Sequence, residues 1–324
     1  MTGIAGLATA QPIAAADLKL IVMVFQGMQN LPLLAAQARG FFTRRELSVA
    51  IKNAPNSLEL REGLAQGRYQ VVHSAVDNAI AMAEASNIYI AVVLGGDNGF
   101  NHLFAQSEIR SVEELRGKMV VVDAPDTAYA FQLYRMLGER GLKKGAYDIK
   151  PLGAGGKRLE AMQQDRRAAA AMLNPPFSVL AARAGFTDLG AAVAVIGPYQ
   201  GTAGYVRRDW AKANDDALVR YIAAYIEGLR WALDAANRRE AVALLASALR
   251  LSDDVAEQCL EIAAGPTDGL AKDAALDLPG FRNVLKLRAD LVGQWGGTPP
   301  APDKYIELSY YRRALESLYS ATPK

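Results

Sequence analysis

The stretch LKLIVMVFQGMQNLPLLAAQARGFF, residues 18–42, decides how the rest of the chain is read. Leu18–Phe25 is an apolar run interrupted only by Lys19, the composition of a strand buried on both faces of a sheet. A glycine turn at Gly27 ends it. Leu31–Arg39 then has helical spacing, with Pro32 tolerated in the first turn and Gly40 at the C-terminal stop. This is a strand, a loop and a helix in immediate succession.

The same unit repeats downstream. A second strand, Leu47–Lys52, leads to Asn56 and Ser57, either of which can cap the helix Leu58–Gln66 that Gly67 ends. A third strand, Tyr69–Val72, precedes Ser74 and a helix over Val76–Ala85, and a fourth strand spans Ile88–Leu94. Alternation of this kind predicts an α/β lobe built on a mostly parallel sheet. The pattern then restarts. Ser111-Val112-Glu113-Glu114 has the form of a capping box ahead of an apolar strand, Met119–Val122, and Asp126 or Thr127 can cap the helix Ala128–Arg140. Strands near 148–152 and 168–173 and helices near 156–164 and up to 184 complete a second lobe over residues 105–195. Beyond Trp210 strands nearly vanish. Helices near 214–235, 239–249, 253–263 and 280–293 must bury their apolar faces, and packing them on the first lobe is the economical solution. The first lobe then comprises residues 17–104 and 196–324, and the chain crosses between lobes near 103–106 and 195–204. Two crossings make a hinge.

Composition agrees with two domains of ordinary soluble type. The chain has 324 residues, 51% hydrophobic and 22% charged, with 36 basic residues against 34 acidic. No Lys/Arg run is long enough for a nucleic-acid footprint, so no nucleic-acid partner is expected. A lone cysteine, Cys259, excludes a disulfide framework, and two histidines without ligand spacing argue against a metal site. No cofactor is implied. Residues 1–16, MTGIAGLATAQPIAAA, read as the last part of a secretory signal with its basic segment missing, which points to a periplasmic location. No segment reaches the ~18 to 20 apolar residues of a membrane span.

Leu31-Pro32 with Ala36–Phe42, the run Leu64–Val71, the segment Ser111–Lys118 and Pro302-Asp303-Lys304-Tyr305-Ile306 together resemble ABC-transporter substrate-binding proteins of the nitrate, sulfonate and taurine class and the related thiamine-pyrimidine-precursor group. Their order and spacing carry the likeness. The resemblance implies the type II periplasmic-binding fold, a membrane permease as partner, and a monomer that captures a small-molecule ligand. One position departs from the family's usual pattern, with Gln70 where an acidic residue is common.

Ligands of open α/β sheets bind beyond the carboxyl ends of the strands, where loops feed helix N-termini whose free N–H groups favour anions. That rule selects Gln26, Gly27, Met28, Ser57, His73, Ser74, Asp77 and Asn78 from the first lobe. It selects Thr127, Tyr129, Asn174 and Phe177 from the second, and Tyr199 at the returning crossing. Each has a plainer role available: Ser57, Ser74 and Thr127 as caps, Gly27 as a positive-φ turn, His73 as a structural hydrogen-bonding group, and the aromatics as core. Gly153–Arg158 lacks the spacing of a phosphate loop and reads as a turn before a helix. Gly95–Gly99 reads as a loop at the cleft rim or hinge.

The sequence therefore supports a transport receptor for a small, anionic organic molecule, a sulfonate or carboxylate, with an aromatic one permitted. Two alternatives accompany it: an enzyme on the same fold acting on a small sulfur- or nitrogen-containing aromatic, and a sensor that presents its ligand to a signalling receptor. The resemblance implies that an enzyme would carry a nucleophilic cysteine near the first strand turn or a Cys-rich motif, and Phe25-Gln26-Gly27-Met28 has none.

Overall fold

The computed structural model describes residues 18–85 and 88–320. The alanine-rich leader read as a signal segment lies outside them. Among the described residues ten strands form two sheets: β1 (Leu18–Val24), β2 (Leu47–Asn53), β3 (Val71–Ala75), β4 (Ile90–Gly95), β5 (His102–Ala105), β6 (Met119–Val122), β7 (Asp148–Pro151), β8 (Ala168–Leu173), β9 (Thr187–Ala191) and β10 (Thr202–Arg207). The first sheet has the order β2-β1-β3-β10-β4 and the second β7-β6-β8-β5-β9.

The two orders are the same pattern. In each sheet the first three strands pair in parallel, and the fourth in spatial order runs against both of its neighbours. That reversed strand is β10 in the first sheet and β5 in the second, so each sheet receives it just as the chain arrives from the other. The crossings are therefore 96–101 and 197–201. The first falls before the stretch 103–106 that the sequence suggests, because His102–Ala105 is already paired with β8 and β9.

Burial follows the strand composition. β4 and β8 are buried along their whole length, and the Ala168–Leu173 run of β8 contributes to two separate hydrophobic clusters, one on each face of the second sheet. The first sheet is likewise sandwiched between two clusters. The C-terminal helices do return to it. The helix Asp215–Leu233 lies against Leu31–Ala38 and shares its core. A Cβ at Gly228 would meet the Pro32 carbonyl oxygen at 2.2 Å, so glycine there permits the close approach of the two helices. The helix Leu278–Val292 packs Phe281, Val284, Leu285 and Leu287 over β3 and the helix Val76–Ala85.

Several local expectations change. The third strand runs from Val71 to Ala75, so His73 and Ser74 are strand residues and Ser74 caps nothing. Asn56, not Ser57, caps the following helix, its side-chain oxygen accepting from the Glu59 N–H at 2.9 Å. Gly27 has extended backbone, φ 164 and ψ 170, so it supplies no positive-φ turn. Strands β5, β9 and β10 escape the sequence pattern because they are short or read as part of a crossing. At the family's acidic position, Gln70 Oε1 accepts from the Ile21 N–H at 2.8 Å. A carboxylate oxygen would serve the same N–H, so the substitution keeps the contact and drops the charge.

The lobes touch along both flanks of the space between them. On one side Arg183 reaches from the second lobe to Asp254 and Gln258 of the helix Asp253–Ala263. On the other, Arg135 pairs with Asp290 at 2.6 Å.

Candidate functional site

The carboxyl ends of both sheets face one narrow cleft, a cavity of ≈ 20 Å³ partly open to solvent. Its wall takes Gln29 and Ala75 from the first lobe, Ala128, Tyr129, Gln132 and Asn174 from the second, and Asp97, Phe100, Asn101, Tyr199, Gly201 and Thr202 from the two crossings. Of the residues selected from the sequence, Tyr129, Asn174 and Tyr199 share this wall. The lobes already meet across it: Asn174 Nδ2 donates to Gln29 Oε1 at 3.4 Å, and the Met28 N–H to the Pro175 carbonyl at 3.4 Å.

The crossings are tied together by Asp97. Its carboxylate accepts from the Thr202 N–H at 3.0 Å, from the Thr202 hydroxyl and from the Gly99 N–H at 2.9 Å, while its carbonyl accepts from the Gly201 N–H at 2.9 Å. Burial pushes the pKa of this carboxyl up, against the pull of the Thr202 and Gly99 donors. A Cβ at Gly201 would lie 1.9 Å from Asp97 Oδ1, so the return crossing must carry glycine to pass this close. Gln200 extends the knot, donating to the Asp97 and Thr202 carbonyls and accepting from the Asp277 N–H at 2.8 Å. Asp97 is therefore an organiser of the hinge whose carboxylate already receives three donors.

Of the remaining first-lobe candidates, Met28, His73, Ser74, Asp77 and Asn78 are buried. His73 Nε2 lies 2.9 Å from the Tyr221 hydroxyl and its ring stacks on Tyr225 at 4.8 Å. Burial holds its pKa down at about 3, so the imidazole is neutral. The Ser74 hydroxyl shares a 2.7 Å hydrogen bond with Tyr205 and takes a longer one from Asn78. Asp77 forms a buried ion pair with Arg288 at 2.7 Å, and the same guanidinium lies 5.3 Å from the Phe131 ring of the second lobe. Met28 belongs to the first-lobe core, Gln26 is exposed, and Ser57 sits half-buried at the start of its helix.

In the second lobe Thr127 is a cap, accepting from the Ala130 N–H at 3.4 Å while donating to Asp123 Oδ1 at 2.5 Å. Phe177 lies flat against the glycines that open the next helix, where a Cβ at Gly155 would come within 2.6 Å of the ring. Tyr129 and Tyr199 are walls of the cleft, and burial raises both phenols, which stay protonated donors. Gln132 Oε1 accepts from Asn101 at 2.9 Å, and its amide nitrogen lies against the Tyr199 hydroxyl without completing a well-formed bond.

The sequence reading missed Gln29, Asp97, Asn101, Gln132, Thr202 and Arg158. Gln29 lies one residue past the predicted triplet, and Asp97 sits inside the Gly-rich loop already placed at the hinge. Gln132 carries no local signal, since only its face of the helix Ala128–Glu139 selects it. Arg158 is 2% exposed, and its Nε and Nη1 have no hydrogen-bond partner among the described residues.

The sequence model of NMT1/THI5-like proteins matches residues 28–238. No curated protein sequence is similar to the chain. Among solved structures, the ligand-binding component of an ABC-type import system from Staphylococcus aureus, with zinc bound, superposes with a TM-score of 0.77 at 15% identity over 92% of this chain and 99% of that one. The periplasmic nitrate-binding protein NrtA from Synechocystis PCC 6803 gives 0.75 at 12% identity over 93% and 89%. The alkanesulfonate-binding protein SsuA from Xanthomonas axonopodis pv. citri, bound to MOPS, gives 0.70 at 17% identity over 89% and 96%. At these identities the likeness is one of fold.

Proposed function

The chain belongs to the NMT1/THI5-like family, and from that membership and the cleft geometry we propose that it is the solute-binding component of an ABC importer. In this reading it is an exported, periplasmic monomer that holds a small anionic organic molecule, a sulfonate or carboxylate, without transforming it. The observation that carries the proposal is a cleft walled from both lobes at once and closed at its back by two short crossings. A ligand touching both lobes stabilises their closed arrangement by the contacts it gains there and lacks in the open one. The closed form is then what a membrane permease receives.

The lining suits a small polar ligand. Side-chain amides of Gln29, Asn101, Gln132 and Asn174 supply hydrogen bonds, and Tyr129 and Tyr199 supply flat walls. The room a water-sized molecule finds in the cleft, ≈ 20 Å³, lies far below the ~300–1,000 Å³ usual for small-molecule sites, so in this reading the lobes part to admit the ligand. Catalysis by a thiol has no support at the cleft. Cys259 is fully buried in the first-lobe core, where burial pushes its pKa up to about 12. A thiol so placed is inert.

A thermal-shift screen against sulfonates, nitrate, aliphatic and aromatic carboxylates and neutral pyrimidines tests the reading, with each stabilising compound recovered and weighed by mass spectrometry. A ligand at 100 times its Kd adds about 2.7 kcal/mol of stability. Recovery of that compound unchanged is the expected result. Conversion to product would replace the receptor with an enzyme, and stabilisation by neutral compounds alone would remove the anion.

A further inference from the structure

We propose that Arg158 is the charge anchor of the cleft, the cation that binds the carboxylate or sulfonate head of the ligand; this rests on the solute-binding reading above. Arg158 stands in the first turns of the helix Gly155–Gln164, which follows β7 at the carboxyl end of the second sheet. Strands β6 and β8 of the same sheet lead into Asp123–Thr127 and Asn174–Phe177. Its guanidinium carbon lies 4.6 Å from the centroid of Tyr129, a ring that lines the cleft.

The guanidinium is nearly inaccessible and two of its nitrogens donate to nothing among the described residues. A guanidinium cannot escape burial by losing its proton. An unpaired buried charge costs several kcal/mol, whereas a cation over an aromatic face recovers only ~0.5–2 kcal/mol. Tyr129 orients the cation and falls short of compensating it. Asp123 feels the field of Arg158, which pulls against the upward push of burial on its carboxyl. It makes no hydrogen bond with Arg158, however, and one of its oxygens already accepts from Thr127 at 2.5 Å. Among the described residues no lysine or arginine lines the cleft, and Arg158 reaches its wall only through Tyr129, so that ring must shift for an anion to meet the guanidinium. With the Asp97 carboxylate of the lining already occupied by Thr202 and Gly99, the arrangement places a single charged oxyanion head at Arg158 and the uncharged remainder against Tyr129 and Tyr199.

The test compares the wild type with Arg158→Met and Arg158→Lys at constant ionic strength. Affinities are measured by thermal shift and calorimetry for benzenesulfonate and benzoate and for their neutral counterparts, benzenesulfonamide and benzamide. The wild type is expected to prefer the anions. Arg158→Met should weaken them at least tenfold, leave the amides within about twofold, and keep or raise the melting temperature of the unliganded protein, because it removes an unpaired buried charge. Arg158→Lys should recover part of the anion affinity. If Arg158 is instead a counter-charge for Asp123, Arg158→Met lowers the unliganded melting temperature or fails to fold while Arg158→Lys binds like the wild type, and the proposal falls. Unchanged anion affinity in Arg158→Met also overturns it. A wild type that binds the amides as well as the anions overturns the anchor and leaves the receptor standing. A wild type that binds none of the four removes the anionic-ligand reading and the anchor with it.

Discussion

The two sheets share one strand order, yet their carboxyl ends have opposite fates. At the first, His73, Ser74 and Asp77 are satisfied from behind by Tyr221, Tyr205 and Arg288. At the second, Arg158 keeps unused donors and Tyr129 and Asn174 stand at the cleft wall. The cause is the C-terminal half of the chain. β10 and the helices Asp215–Leu233 and Leu278–Val292 pack on the first lobe and bring polar partners to its strand ends, whereas the second lobe meets Leu278–Val292 only along the helix Ala128–Glu139, and Arg158 gains no hydrogen-bond partner for its Nε and Nη1 among the described residues. Equal topology thus yields a scaffold on one side and, in the proposed reading, the surface that meets a ligand on the other.

The comparison breaks most visibly at Asp77. Asp77→Ala leaves Arg288 buried without its carboxylate and is expected to lower stability by about 3–5 kcal/mol, measured by urea unfolding. Ligand affinity of the folded fraction should be unchanged; a loss of affinity with intact stability would return Asp77 to the binding surface. His73 sharpens the same point through pH. Its folded pKa, about 3, lies below the ordinary 6.5, so the neutral ring's contribution is whole above pH 6.5 and is lost as pH falls towards 3. The slope is at most about 1.4 kcal/mol per pH unit. His73→Gln should remove that share of the slope, and equal acid sensitivity in both proteins would show that the ring is not held neutral. The smallest effect belongs to Ser74→Ala. It orphans the buried Tyr205 hydroxyl and should cost about 1–3 kcal/mol of stability with ligand affinity intact. Weaker binding at unchanged stability would place Ser74 among the ligand contacts.

Much of the architecture is legible in local pattern. The run Leu18–Phe25, the stops at Gly40 and Gly67 and the restart at Met119 give two α/β units in the right order, because strand burial and helix termination are decided within a few residues. The strands β5, β9 and β10 are not legible, since four to six residues at a crossing carry too little pattern to be told from a loop. Of the proposed site, Tyr129, Asn174 and Tyr199 follow from the rule that loops after strands face the cleft. Arg158 was visible only as part of a glycine-rich turn.

What the sequence alone determines is the succession of elements, the twofold lobe and the exclusion of disulfide chemistry, all properties of composition and short-range spacing. Which polar side chains remain free to meet a ligand was decided only in the tertiary structure. The partners that silence His73 and Asp77 lie 148 and 211 residues further along the chain. Hydrogen-bond satisfaction is set by what packs against a group in space, and no local pattern encodes a contact at that separation.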